Sequence, residues 1–230
     1  MSLRLALGWA CLFTITFATA PASAEEAGKY REFTLGSTTA AVLELTGSRP
    51  SDLKTMHQRP SVLQELAWRP RYTPGRALPD VDPVREMVFS FSNDRLYRIA
   101  VYYDRTRTAG LTHDDMILAL KSVYGAPLAS AARAERQERL EPSDASMPIA
   151  AWGRGDTLVS LYWSDYRAGF GLLVMSRVEE SSARRAAETA VVLDEREAPA
   201  REEAKRKKEA EDLKAAEERA RAVNKGAFRP

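Results

Sequence analysis

The pattern of apolar and polar residues between positions 86 and 103 predicts a β-hairpin. Apolar side chains alternate with polar ones on both sides of Asn93-Asp94, as in strands that bury one face. A two-residue connection of this kind is typical of a tight hairpin turn. The apolar face comprises Met87, Phe89, Phe91, Tyr97, Ile99, Val101 and Tyr103. We expect these side chains to form part of the core.

Residues 109–125, AGLTHDDMILALKSVYG, predict an amphipathic helix. Its apolar stripe consists of Met116, Leu120, Val123 and Tyr124. The same segment places His113 beside two aspartates, which raises the alternative of a catalytic dyad. Thr112 followed three residues later by Asp115 matches a capping box with a shortened acid. Because the corresponding earlier turn, STTAAV, has neither histidine nor acid, we interpret this group as a helix start.

The chain repeats one order of elements. The first half opens with a helix capped by Ser37 or Thr38 and stopped at Gly47. The second half opens with the helix described above, which stops at Gly125. Three strands follow in each half, and the first of these strands ends in a tryptophan, Trp68 or Trp152. The tryptophans are therefore equivalent positions.

This repetition predicts the α+β fold class. We expect two repeated helix-plus-antiparallel-strands units, at about 35–104 and 110–178, with their helices on one face of the sheet. Polar segments at 51–58 and 128–141 have room for a second helix in each unit. Residues 29–35 predict an additional strand before the first helix.

The N-terminal residues 1–24 have the pattern of a signal peptide. Arg4 precedes an apolar stretch, and small residues at Ala22 and Ala24 place the cut after Ala24. A retained membrane anchor is the alternative, although the apolar stretch is shorter than the ~20 residues of a spanning helix. The single cysteine, Cys11, lies within this leader. We therefore expect an exported, periplasmic chain without disulfides and without a transmembrane segment after cleavage.

The C-terminal region differs in composition from the middle. Residues 179–199 predict a linker, and residues 200–225 predict a charged helix with acid-before-base pairs four residues apart. Leu213 and Val223 belong to a short apolar seam of coiled-coil spacing. A solitary solvated helix, a partner-binding helix and a coiled coil that is disordered in part remain open alternatives.

A candidate binding surface follows the first tryptophan. Arginine and aromatic residues alternate there, between prolines, in an arrangement that can stack on an anionic or peptide partner. The residues are Trp68, Arg69, Arg71, Tyr72 and Arg76. The alternative is that Trp68 is a core residue and the arginines solvate a long loop. For an exported chain the expected partner is an envelope protein or an anionic envelope component, and not nucleic acid.

Catalytic, metal and cofactor signatures are not apparent in the sequence. The two histidines, His57 and His113, lack ligand spacing, and His57 is interpreted as an exposed loop residue. The G-x-S-x-G pattern of hydrolases is absent. Gly-Arg-Gly-Asp at 153–156 favours a hairpin turn over an adhesion motif. We therefore predict no catalytic residues, no metal and no cofactor.

Gly47 with Pro50, Trp68 and the hairpin 86–103 resemble the small SmpA/OmlA-type outer-membrane lipoproteins of the barrel-assembly machinery. The tandem arrangement is similar to the beta-lactamase-inhibitor-protein fold, and the likeness covers about residues 35–178. The resemblance implies a protein that binds partners, in some members through the sheet. This chain lacks the lipoprotein cysteine at the cleavage point, so membrane anchoring and a role in barrel assembly are not implied.

These features favour a non-enzymatic binding or adaptor protein. One alternative is an envelope enzyme that uses carboxylates near the proline-rich loop, at Asp80, Asp82 and Glu86. Another is a structural protein that oligomerises through its tail. The oligomeric state is left open.

Overall fold

A computed structural model describes residues 28–70, 82–129, 146–227 and 229. Its strands are β1 (Lys29–Tyr30), β2 (Phe33–Thr34), β3 (Lys54–His57), β4 (Leu63–Trp68), β5 (Val84–Ser92), β6 (Arg95–Tyr103), β7 (Ser146–Arg154), β8 (Thr157–Ser164) and β9 (Gly169–Ser176). Its helices are α1 (Thr39–Thr46), α2 (His113–Tyr124) and α3 (Arg177–Ala227), and Pro50–Asp52 form a short 3₁₀ turn. The predicted α+β class is confirmed.

Seven of the strands form one antiparallel sheet. Its order is β3-β4-β5-β6-β9-β8-β7, while β1 and β2 pair with each other in a separate ribbon. Strands β6 and β9 are distant in sequence, and their pairing joins the two halves of the chain with Ala100 opposite Leu173. The central contact of the sheet is therefore a long-range one.

The hairpin β5–β6 is confirmed, with Asn93 and Asp94 as its turn. Both residues have the positive φ that a two-residue hairpin turn requires, at 47° and 67°. Their side chains also connect the turn to its surroundings. Asn93 accepts a hydrogen bond from the backbone N–H of Val62 at 2.9 Å, and Asp94 accepts one from Thr39 at 3.1 Å. The turn thus anchors both β4 and the start of α1.

The main core lies on the sheet face that carries α1 and α2. Val42 of α1 and Met116 and Leu120 of α2 are buried against it. Fully or almost fully buried side chains on the strands are Leu66, Met87, Phe89, Phe91, Leu96, Ile99, Val101, Trp152, Val159, Leu161, Leu172 and Val174. Burial of each large apolar side chain stabilises the fold by about 1.5–3 kcal/mol.

Both predicted helix starts are confirmed. The Thr38 side chain accepts from the N–H of Ala41 at 3.3 Å, and α1 ends at Gly47 with φ of 64°. At α2, Thr112 and Asp115 form the reciprocal capping box. The N–H and hydroxyl of Thr112 donate to the Asp115 carboxylate, and these bonds lower its pKa. The cap accounts for Asp115, the second aspartate after His113.

The two tryptophans bind the ends of the two helices in the same way. The indole N–H of Trp68 donates to the carbonyl of Thr46 at 3.0 Å, at the end of α1. The indole N–H of Trp152 donates to the carbonyl of Gly125, also at 3.0 Å, at the end of α2. Carbonyls at a helix C-terminus lack partners within the helix, so each tryptophan satisfies a group that the helix leaves unpaired.

The expected second helix at 51–58 is wrong. Apart from the short 3₁₀ turn, this segment forms edge strand β3, which pairs with β4 with Lys54 opposite Glu65. The exposed edge of β4 offers backbone hydrogen bonds that a short polar helix could not replace. His57 is accordingly a half-buried strand residue and not an exposed loop residue. Most of the expected helix at 128–141 lies outside the described residues.

The additional strand at 29–35 is interrupted. Two-residue strands β1 and β2 flank Arg31, whose φ of 53° reverses the chain direction. The result is a small ribbon and not a continuous strand.

The C-terminal helix begins earlier than expected, because α3 includes the predicted linker 179–199 and contains Pro199. Ala183 and Ala186 are buried against Leu63 and Tyr97, and these small side chains let the helix approach the sheet closely. Glu180 pairs with Arg98 at 3.5 Å. Arg98 neighbours Ile99 of the main core and points to the other face, so helices lie on both faces of the sheet, contrary to the expectation of one.

None of the helices in the described ranges is both long and apolar enough to cross a membrane. The expected leader, residues 1–24, lies outside these ranges.

Candidate functional site

The sheet face opposite the main core, which we call the second face, is lined by small side chains. One row of cross-strand partners runs across six strands from β4 to β7. Its members are Ala67, Val88, Ala100, Leu173, Ser160 and Ala151. Ala67 is exposed and Val88 and Ser160 are half-buried, whereas Ala100, Leu173 and Ala151 are buried.

The apolar cluster on the second face consists of strand residues alone. It comprises Val88, Ala100, Tyr102, Ala151, Leu158, Tyr162, Leu173 and Met175. The main core, by contrast, includes side chains from α1 and α2. The packed alanines of α3 belong to a separate cluster with Leu63 and Tyr97. Among the described helices, none contributes a side chain to the cluster on the second face.

A charged group borders this cluster, and we call it the Glu86 cluster: Arg69, Glu86, Tyr102 and Arg167. The carboxylate of Glu86, 11% exposed, accepts from Arg69 Nε at 3.1 Å and from Arg167 Nη1 at 3.0 Å. Arg69 follows β4, and Arg167 lies between β8 and β9. Glu86 therefore connects the first half of the chain to the second.

Arg167 also stacks on an aromatic ring. Its guanidinium carbon lies 3.7 Å from the ring centroid of Tyr102, a distance typical of a strong cation–π contact. Nearby, the ring of Tyr162 lies over Gly171, where an added Cβ would be 2.2 Å from Tyr162 Cζ. Glycine at this position is required by the close approach of the ring. The cluster thus presents arginine and tyrosine beside a floor of small residues.

The two arginines of the Glu86 cluster are expected to differ in their contribution to stability. Arg167→Ala removes a hydrogen bond to a shielded carboxylate and a cation–π contact, and should lower the free energy of unfolding by about 1–2 kcal/mol. Arg69→Ala should lower it by less than about 1 kcal/mol, because the Arg69 side chain is 70% exposed. Urea unfolding of both variants measures the difference. Equal losses would contradict the assigned role of Arg167.

The structure separates the residues of the sequence-predicted surface. The Trp68 ring packs toward the main core, with its centroid 6.0 Å from that of Phe33. Arg69 lies next to it in sequence but pairs with Glu86 on the second face. Arg71, Tyr72 and Arg76 lie outside the described residues. Of the predicted surface, Arg69 is the residue that the structure brings to the candidate site.

The carboxylates of the alternative enzymatic interpretation have separate partners. Asp82 accepts two hydrogen bonds from Arg31, at 2.9 and 2.7 Å, and this contact lowers its pKa. Glu86 is held by Arg69 and Arg167. Asp80 lies outside the described residues. Both described carboxylates therefore serve ion pairs that connect distant parts of the chain.

The described residues contain no group of three or more histidine, cysteine or acidic side chains that could hold a metal ion. The ring of His113 lies at the start of α2 and contacts Phe170, with centroids 5.9 Å apart. Its surroundings are those of a packed helix terminus.

Sequence reasoning missed Tyr102 and Arg167 as site residues. Tyr102 alternates with Val101 and Tyr103 along β6, so the strand period does place it opposite the main core. Nothing local indicates that the turn residue Arg167 reaches Glu86, since 81 positions separate them. That contact depends on the pairing of β6 with β9.

No protein-family model matches the chain, and neither a curated protein nor a solved structure matches it.

Proposed function

We propose that this chain is an exported, periplasmic, non-enzymatic binding or adaptor protein that recognises its partner through the second face. The observation that carries the proposal is the apolar cluster on that face, built from strand residues alone. Six of its members are at most 8% exposed, so a partner would reach this face at its accessible positions, Ala67, Val88, Ser160 and Tyr102. Accessible apolar side chains on a sheet face favour association with another molecule. The partner class is an envelope protein or an anionic envelope component.

The residue types around the cluster support this proposal. Protein interfaces combine an apolar centre with a polar rim, and arginine and tyrosine are enriched among the residues that dominate binding energy. The accessible row positions Ala67, Val88 and Ser160 supply the centre, and the Glu86 cluster supplies one rim. Arg69 is 70% exposed, so it can reach an anionic group on the partner.

Two repeated units, at about 35–104 and 110–178, are part of the proposal. Their support is the sheet order, in which β4-β5-β6 meets the reversed series β9-β8-β7 at the centre. The matching hydrogen bonds of Trp68 and Trp152 to their helix ends add to it. A tandem arrangement like that of the SmpA/OmlA-type and beta-lactamase-inhibitor-protein folds would follow from such a duplication.

Export is proposed from the leader pattern at residues 1–24, with cleavage after Ala24. The proposal of a non-enzymatic role is supported by the ion pairs of Asp82 and Glu86, two of the three carboxylates of the alternative enzymatic interpretation.

We propose that the exposed part of α3 makes a second contact with a partner or acts as a spacer. Helix α3 has 51 residues, and at 1.5 Å per residue it extends about 75 Å. Its first turns pack on the sheet, but Leu213 and Val223 are 62% and 70% exposed. This exposed part of α3 favours a tail-mediated contact, including oligomerisation, as the second candidate function.

Affinity purification from the native host tests the proposal. The tagged full chain is compared with Ala67→Glu on the second face, Leu118→Glu on the exposed side of α2, and a chain without residues 198–230. That truncation keeps Glu197, which pairs with Arg59 near the packed part of α3. Ala67→Glu should lose the partner, because it places a charge at the exposed end of the row on the second face, and the other two should retain it.

Two other outcomes would contradict recognition through the second face. If only the truncated chain loses the partner, the tail and not the second face recognises it. Equal retention by all four chains would contradict binding through the second face.

A further inference from the structure

A second concave surface lies on the other side of the sheet, beside α2. It is a groove of about 540 Å³ between α2, the ribbon β1 and the end of β6. This volume falls in the range of about 300–1,000 Å³ that is typical of small-molecule sites. The groove is separate from the second face, because its residues belong to the side of the sheet that carries α1 and α2.

The interior of the groove is apolar. Residues of α2 and the preceding loop, including Tyr124, line the groove together with Tyr30 of β1 and Tyr103 of β6. They are Leu111, Met116, Ala119, Leu120, Val123, Tyr30, Tyr103 and Tyr124. Leu111 and Val123 are 45% and 46% exposed, so apolar carbon at the mouth faces water. A ligand with an apolar body would cover this surface.

The tyrosine hydroxyls do not make the groove an anionic site. Tyr124 donates to the carbonyl of Lys29 at 2.9 Å, and the hydroxyls of Tyr30 and Tyr103 interact with each other. Burial raises the pKa of both Tyr30 and Tyr103 above the ordinary tyrosine value. These rings are therefore uncharged at neutral pH.

The mouth of the groove is cationic. Lys29, Arg31 and Arg107 belong to its lining, and no acidic residue does. Arg31 is neutralised by Asp82 at 2.7 Å. Within the described ranges, Lys29 and Arg107 form no ion pair within 4.0 Å. Two cationic side chains thus stand at the edge of an apolar groove. The backbone N–H of Arg107 and, to a smaller extent, its charge lower the pKa of the nearby Asp104 carboxylate.

The position of Arg107 is held by its turn. The carboxylate of Asp104 accepts from the N–H groups of Thr106 and Arg107 at 2.8 and 3.1 Å. The hydroxyl of Thr108 donates back to the carbonyl of Asp104 at 2.9 Å. These bonds fix the backbone of the turn, so the Arg107 side chain starts beside the mouth of the groove.

We propose that the groove binds a single-chain amphipathic anion, a medium-chain alkyl carboxylate. Its alkyl chain lies between α2 and the rings of Tyr30 and Tyr103, and its carboxylate contacts Lys29 and Arg107. Charge complementarity selects the anion, since a neutral or cationic head group gains nothing from these side chains. The proposal concerns a small ligand and is independent of a macromolecular partner on the second face.

Calorimetric titration of the full chain tests it with three probes of equal chain length: decanoate, decan-1-ol and decyltrimethylammonium. Decanoate should bind, decan-1-ol should bind more weakly, and the cationic probe should not bind. Arg107→Gln should weaken decanoate by about threefold to fivefold, the effect of an exposed charge pair. Arg105→Gln, two positions earlier on the same exposed turn, should bind as the unaltered chain does.

Substitutions that fill the groove provide a second test of the proposal. Ala119→Trp and Val123→Trp place a large ring in the lining and should abolish decanoate binding. Leu118→Trp, on the same helix but outside the lining, should preserve it. Each variant is checked by thermal unfolding, and both filling positions are exposed enough to accept a ring without loss of the core.

Three results would overturn the proposal. They are no heat of decanoate binding to the full chain, equal binding of all three probes, and unchanged decanoate binding by both groove-filling variants.

Discussion

Trp152→Ala is expected to lower the free energy of unfolding by about 3–5 kcal/mol, as for other large-to-small substitutions of buried aromatic residues. The Trp152 side chain is 1% exposed and lies in the main core. Its loss leaves a cavity between α2 and the sheet and an unpaired carbonyl at Gly125. Urea or thermal unfolding of the full chain measures the effect.

Trp152→Phe separates the two contributions. Phenylalanine keeps most of the ring contacts but cannot donate to Gly125, so the loss should be smaller than for alanine and include about 1 kcal/mol for the hydrogen bond. Trp68→Ala should cost less than Trp152→Ala, because Trp68 is only partly buried. A loss below about 1 kcal/mol for Trp152→Ala would show that α2 is not held to the sheet in this way.

Gly171→Ala is expected to lower the free energy of unfolding by about 2–3 kcal/mol, within the range for overpacked interiors. The new Cβ would be 2.2 Å from Cζ and 2.5 Å from the hydroxyl oxygen of Tyr162. Tyr162 is 4% exposed, so its ring has little room to move away. The strain therefore falls on the contact between β8 and β9.

Gly169→Ala is the matched control in the same strand. Its nearest atoms are backbone oxygens at 3.8 Å, an ordinary contact distance. Alanine there should be neutral or slightly stabilising, because glycine weakens a strand by about 0.5–1 kcal/mol relative to alanine. In a Tyr162→Ala background the cost of Gly171→Ala should disappear. Equal costs with and without the Tyr162 ring would exclude the ring contact as the cause.

Local elements of this fold could be predicted because short-range chemistry determines them. The turn at Asn93-Asp94 requires two residues that tolerate positive φ, and the sequence supplies them between alternating strands. The capping box of Thr112 and Asp115 likewise involves groups three residues apart. Such features depend on neighbours in sequence, so the sequence pattern is sufficient.

Edge strand β3 shows where local propensity fails. The segment 51–58 has the polar composition of a surface helix, but the free edge of β4 supplies backbone partners for Lys54 and Thr55. Tertiary hydrogen bonding decided the structure of this segment.

The early start of α3 has a weak signal in the sequence. Ala183, Ala186 and Ala190 recur at helical spacing within a charged stretch, and all three are buried. Pro199 lies inside the helix. A stripe of alanine is a weak apolar signal, because the same composition is also typical of a charged linker.

The candidate site was the least predictable part. Trp68 and Arg69 are adjacent in sequence but lie on opposite faces, as the period of a strand requires. Glu86 and Arg167 meet because β6 pairs with β9. The sequence pattern does not indicate that these two strands pair, or which of their residues lie opposite each other. The separation of the second face from the groove beside α2 also depends on this long-range contact.

Site-specific photo-crosslinking in the native host tests binding through the second face most directly. A photoreactive amino acid is placed at Ala67, an exposed position of the second face, and at Leu118, which is 70% exposed on α2. Irradiation of cells that express the full chain should give one adduct of defined mass from position 67 and none from position 118. An adduct only from position 118, or none from position 67, would contradict partner binding by the second face.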